Sequence, residues 1–213
     1  MKTFMLLAVI VLPVGYVVSS LSAPRPVRAQ TVEEANATIT KTERDLRTTA
    51  TSTATQAAGI QQGLSSSNHA GLANELQDFN RLNDHLMNLR AELAKDIDEY
   101  KTAYTDKLAA FDLERSCITD PATQRSMDVL RRHTEQDMNE RVMAAKATLE
   151  QLDNVLTKGA DLEHAAKCII IAEELQTHGQ DVDAQLKAAK EQANNYAKLT
   201  NNLLARINQT LTD

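Results

Sequence analysis

Between Leu72 and Phe111 apolar residues recur in steps of three or four without a break: Leu72, Leu76, Phe79, Leu82, Leu86, Leu89, Leu93, Ile97, Tyr100, Tyr104, Leu108 and Phe111. Asn, Asp, Glu, Arg and Lys fill the positions between them. This spacing puts the apolar side chains on one face of an α-helix about 60 Å long at 1.5 Å per residue. A helix cannot hide so long and narrow a seam by itself, so other helices must lie along it.

The flanking sequence supplies them. Thr31 and Glu34 have capping-box spacing ahead of Val32, Ala35, Ile39, Leu46, Thr53, Ala57, Ile60 and Leu64. Threonines 48, 49, 51, 53 and 55 crowd this first helix, and threonine is a mediocre helix former, so the helix should depend on its neighbours. A threonine-rich face is also a candidate for O-glycosylation, although packing of small residues against another helix explains it more simply. Gly63 to Gly71 encloses Ser65, Ser66, Ser67 and Asn68 and reads as a loop. Asp120 followed by Pro121 gives an N-cap and a first-turn proline for a third helix. Its seam is Met127, Leu130, Thr134, Met138, Val142, Ala145, Leu149, Leu152 and Leu156, with Gly159 as the expected stop.

From Leu162 the periodicity resumes and runs through Ile169, Leu175, Val182, Leu186, Ala193, Tyr196, Leu203 and Ile207 to Leu211. The phase is the same on both sides of Gly179, which favours one helix kinked near His178 and Gly179 over two helices meeting there. Cys168 to Ala172 is apolar all round and is expected to be its most buried part. With 3% aromatic residues, no Trp, 6 Gly and 4 Pro in 213 residues, a sheet core lacks its usual material. The expected fold is all-α: an elongated antiparallel helical bundle, a coiled-coil-like rod of three to five helices, occupying residues 30–213 as one domain.

Residues 1–29 read as a cleaved signal peptide. Lys2 precedes an unbroken apolar run from Phe4 to Leu12, and Pro13 and Gly15 break it before small residues. Cleavage fits after Ser20 or after Ala29, the second being preferred. The competing reading is a retained anchor, because Phe4 to Leu21 carries no charge and approaches the length of a span. Export places the chain outside the cell, or in the periplasm of a bacterium. The formal charge of −6 becomes three units more negative when Lys2, Arg25 and Arg28 leave with the leader. An acidic chain without a basic cluster argues against nucleic acid as a partner.

Cys117 and Cys168 are the two cysteines, and a pair in an exported chain points to a disulfide. A straight third helix from Pro121 to Lys158 would hold them roughly 40 Å or more apart, whereas a disulfide needs Cα atoms about 6 Å apart. A broken third helix, a bond between chains and a buried thiol therefore all stay open. Asn36 and Asn208 begin the sequons Asn36-Ala37-Thr38 and Asn208-Gln209-Thr210 and are candidate N-glycosylation sites.

No motif announces chemistry. Gly-x-Ser-x-Gly, His-Glu-x-x-His, Cys-x-x-Cys-His and a glycine-rich loop after a strand are all missing. A di-iron bundle needs two Glu-x-x-His repeats, and the nearest match is a single Asp161 with His164. His133 with Asp137, and Glu174 with His178, have helical i, i+4 spacing, but each pair falls two ligands short of a metal site. No catalytic, metal or cofactor site is expected. The function expected is a structural or interaction module without catalysis, acting on a protein partner or by self-association. The alternative is an amphipathic lipid-associating bundle, similar in plan to exchangeable apolipoproteins, whose helices open onto a lipid surface.

Overall fold

The structure is a computed structural model and describes residues 30–66, 71–174 and 180–212. The expected leader in residues 1–29 and the expected kink at His178 and Gly179 lie outside them. Four helices make up the fold: α1 (Val32–Ser65), α2 (Leu72–Cys117), α3 (Pro121–Glu174) and α4 (Gln180–Thr212).

Local chemistry sets the starts of α1 and α3. The Thr31 hydroxyl accepts from the Glu34 N–H at 3.1 Å, and the Glu34 carboxylate accepts from the Thr31 N–H at 2.9 Å, so the capping box starts α1. Within α1 the hydroxyls of Thr48, Thr51, Thr53 and Thr55 each donate to the carbonyl four residues back, which leaves the small residues of the stripe free to pack. The Thr123 N–H donates to the Asp120 carboxylate at 2.8 Å and starts α3 behind Pro121.

The helices pack as an antiparallel square. α1 lies between α2 and α4, and α3 lies between the same two neighbours. Direction and register follow from side-chain pairs. Between α2 and α3 these are Asn80 with Glu163, Arg90 with Asp153, Asp112 with Arg131 and Arg115 with Asp128. Along that series one residue number rises by the amount the other falls, so a single register holds over the whole hairpin. Thr42 with Asp96 and Gln56 with Glu75 show the same reversal between α1 and α2.

Three expectations about α3 and α4 are corrected. Gly159 does not stop the third helix; α3 runs on to Glu174, 54 residues or about 81 Å. A Cβ at Gly159 would stand 2.5 Å from Asn83 Nδ2, and Asn83 Oδ1 accepts from the Tyr196 hydroxyl at 3.1 Å. The glycine makes room for that α2–α4 contact. One kinked helix from Leu162 to Leu211 is likewise replaced by two: α3 ends at Glu174 and α4 returns antiparallel to it. Cys168 to Ala172 is not buried all round either, because only one side of α3 is covered there: Ile169 is buried while Ile171 is 53% exposed.

The core changes character along the bundle. At the end nearest Ser66 and Gly71 it is apolar, with Ile60, Leu64, Leu72 and Leu76 beside an edge-to-face pair of Phe79 and Tyr196 at 5.0 Å. Toward the start of α1 it becomes polar, with Thr42, Glu43 and Asp96 buried. Past the ends of α1 and α4, α2 and α3 continue together as a two-helix projection. No residue from 105 to 141 is buried.

Candidate functional site

The polar end of the bundle combines a buried ion pair with a cavity. Glu43 sits on α1 directly after the buried Thr42 and is itself 0% exposed. Arg141 reaches it across the bundle from α3, with Nη2 at 2.9 Å and Nη1 at 3.2 Å from the two carboxylate oxygens. Arg141 also donates through Nε to Asn36 at 3.0 Å and through Nη2 to Thr40 at 3.4 Å. A second buried carboxylate, Asp96, accepts from the Thr42 hydroxyl at 2.6 Å. Burial of a lone carboxylate or guanidinium is expensive, and this two-pronged pairing with added hydrogen bonds is what makes Glu43 tolerable.

Above this pair lies a cavity of about 380 Å³, lined by Thr40, Tyr100, Asp137, Glu140, Arg141 and Thr210 among others. Its volume is in the range of small-molecule sites. Its chemistry is poor for catalysis. Arg141 is already neutralised by Glu43, so it offers no free charge to an anion. Burial first, and then the Tyr104 hydroxyl, push the Tyr100 phenol well above its ordinary value, so it stays protonated and is no base. No serine, threonine or cysteine nucleophile with a histidine base lines the cavity.

Immediately beyond it rises the projection. Glu33 of α1 meets Lys107 of α2 at 4.0 Å, and the last residues of α4, Thr210 and Leu211, reach Arg141 and Ala144 of α3. Residues 108–117 and 121–136 extend past both ends. Two ion pairs tie these stretches together: Arg115 with Asp128, and Arg131 with Asp112 at 2.7 Å, Arg131 also reaching Glu135 at 3.1 Å. The hydrogen bond from Arg115 holds the Asp128 carboxyl below its usual value. Leu113 is 69% exposed and Leu130 53% exposed, with Val129 also in solvent.

The residues singled out in the sequence do not converge. Cys117 is an exposed free thiol at the tip of the projection, and Cys168 is a half-buried free thiol near the far end of α3. Unbroken α3 separates them by about 70 Å, which excludes an intrachain disulfide. Asn36 and Asn208 are both exposed, the first on the opening turns of α1 and the second on the closing turns of α4. They therefore share the polar end. The Asn36 side-chain oxygen is held by Arg141, and its amide nitrogen, where a glycan would attach, is not. His133 is exposed, as is His164, whose Nε2 lies 4.0 Å from Cys168 Sγ. Among the described residues no group of three or more His, Cys, Asp or Glu is placed to hold a metal ion. Sequence reasoning missed the Glu43–Arg141 pair; its one local trace is a glutamate beside the apolar stripe of α1, between Ile39 and Leu46.

No family model, curated protein or solved structure matches this chain.

Proposed function

We propose that this chain is an exported structural and interaction module that works through protein contacts and carries out no catalysis. The observation that carries this reading is the α2–α3 projection. It is two continuous helices whose inward faces would be covered by α1 and α4 if those helices went on, and no other described helix covers them. A protein whose seams served only to hold itself together has no use for such an extension. The leader in residues 1–29 supports export. Among the described residues no helix is long and apolar enough to cross a membrane.

The lipid-associating alternative requires the bundle to open and present its seams. Those seams are narrow, rich in Ala and Thr, and already closed on one another in the body. The deciding experiment is far-ultraviolet circular dichroism of residues 30–213, heated with and without anionic phospholipid vesicles. The interaction-module reading expects strong helicity, a cooperative melt of the body and no response to vesicles. Helicity that rises sharply on adding vesicles supports the lipid reading instead.

A further inference from the structure

We propose that the outer face shared by α1 and α4 binds an acidic polysaccharide. This goes beyond the protein-contact reading, because the face lies on the two helices that do not form the projection, and its test does not depend on that surface.

The fold assembles a surface that the sequence keeps in two pieces. No Asp or Glu occurs between Asp45 and Glu75, or between Glu191 and Asp213. α1 and α4 are antiparallel neighbours, and Gln61 Nε2 donates to Asn194 Oδ1 at 2.6 Å. Counting away from that pair in opposite directions lays residues 46–61 beside 194–209. Thr40 and Thr210 line one cavity, in agreement with this register. The two acid-free stretches therefore form one surface, about 24 Å long at 1.5 Å per residue, with Asp45 and Glu191 at its edges.

Its cations are unpaired. Lys41, Arg44 and Arg47 of α1 and Lys187, Lys190 and Lys198 of α4 make no ion pair with a described residue. On α2 every basic residue makes one, from Arg81 with Asp78 to Arg115 with Asp128. A chain whose formal charge is −6 thus keeps free positive charge on α1 and α4.

The remaining side chains select the kind of anion. Arg44 and Arg47, with Thr48, Thr51 and Ser52, frame a recess of about 470 Å³, a volume in the range of small-ligand sites. An exposed guanidinium takes a carboxylate or sulfate through two parallel hydrogen bonds. The hydroxyls of Thr48, Thr51, Ser52 and Thr55 each donate to the carbonyl four residues back, so their oxygens turn lone pairs outward and call for donors. A run of carboxylate side chains or of phosphodiesters supplies acceptors only. A uronic acid or sulfated sugar supplies both the anion and the hydroxyl donors. A lipid surface has nothing to hold here: among the described residues the large exposed apolar side chains, such as Met87, Leu113, Leu130 and Ile171, all lie on α2 and α3.

Isothermal titration of residues 30–213 with heparin and with polygalacturonate, against dextran and polyglutamate, tests the proposal. Dextran carries hydroxyls without charge, and polyglutamate carries charge without hydroxyls. At least one of the acidic polysaccharides should bind about tenfold or more tighter than either control. That binding should weaken about tenfold or more as salt rises from about 50 to about 200 mM. Arg47→Gln combined with Lys198→Gln should weaken it about tenfold with helicity unchanged, and Arg132→Gln, which removes an exposed cation of α3 away from the face, should leave it as it was. Thr51→Val should weaken the polysaccharide and leave polyglutamate unaffected. Failure of both acidic polysaccharides to bind overturns the proposal. Polyglutamate bound as tightly as either also overturns it and assigns the face to an acidic protein, a second copy of this chain included. Equal loss from Arg132→Gln would reduce the binding to general charge attraction and overturn it as well.

Discussion

Along α2 the same seven-residue steps that bury Leu86, Leu93 and Tyr100 in the bundle body reach Lys107 and Glu114 in the projection, where both stay in solvent. The backbone is the same kind of helix in both places. What differs is the presence of α1 and α4. In the body every helix has two neighbours and the seams close; in the projection each has one, and the links between them are ion pairs such as Arg115 with Asp128. Stability should therefore concentrate in the body, while the projection keeps its surface available.

Substitutions can break this contrast. The largest effect should come from Glu43→Ala, which leaves Arg141, 17% exposed, without its buried carboxylate. Chemical denaturation should show a loss of roughly 3 kcal/mol or more. Next comes Leu152→Ala, at a fully buried α3 position, expected to cost roughly 2–5 kcal/mol. Leu130→Ala, the same change on the same helix in the projection, should stay within about 0.5 kcal/mol. Equal losses from the two leucine variants would erase the distinction between the regions.

The smallest effect sharpens it. Arg115→Ala removes an exposed pair and should cost at most about 1 kcal/mol. Acid should act on the same contacts. Asp128, held down by its bond from Arg115, and Asp120, held down by the Thr123 hydroxyl and N–H, both have folded values below the ordinary 3.8. Their contribution is complete above that value and is lost as pH falls through the lowered folded values. Far-ultraviolet helicity followed from pH 7 to pH 2 should start slightly lower in Arg115→Ala and converge with that of the unaltered chain as pH falls through the lowered folded value of Asp128.

Much of this organisation is legible in the sequence. The Thr31 and Glu34 capping box, the α2 seam from Leu72 to Tyr104, and the Asp120-Pro121 start of α3 are local signals, and each acts where it stands. The failures are non-local. Gly159 looks like a stop because glycine usually is one near a helix end, yet here it accommodates Asn83, 76 positions earlier, beneath Tyr196 of α4. A stop at Gly159 places the reversal between α3 and α4 ahead of its true position. The seam through Met127, Leu130 and Thr134 is helical but not buried, because periodicity records which residues share a face and not whether anything covers it. The Glu43–Arg141 pair joins residues 98 positions apart, and its one trace in the sequence is a glutamate beside the α1 stripe.

The most direct test of a closed body with an open projection is amide hydrogen exchange of residues 30–213 at about 1 µM, resolved by peptide. Peptides from 72–104 and 142–169 should exchange through opening of the whole bundle, and peptides from 108–117 and 121–136 about 100-fold faster or more. Uniform protection across all four stretches would contradict the account, since it would mean the projection is as firmly held as the body and has no face left to give.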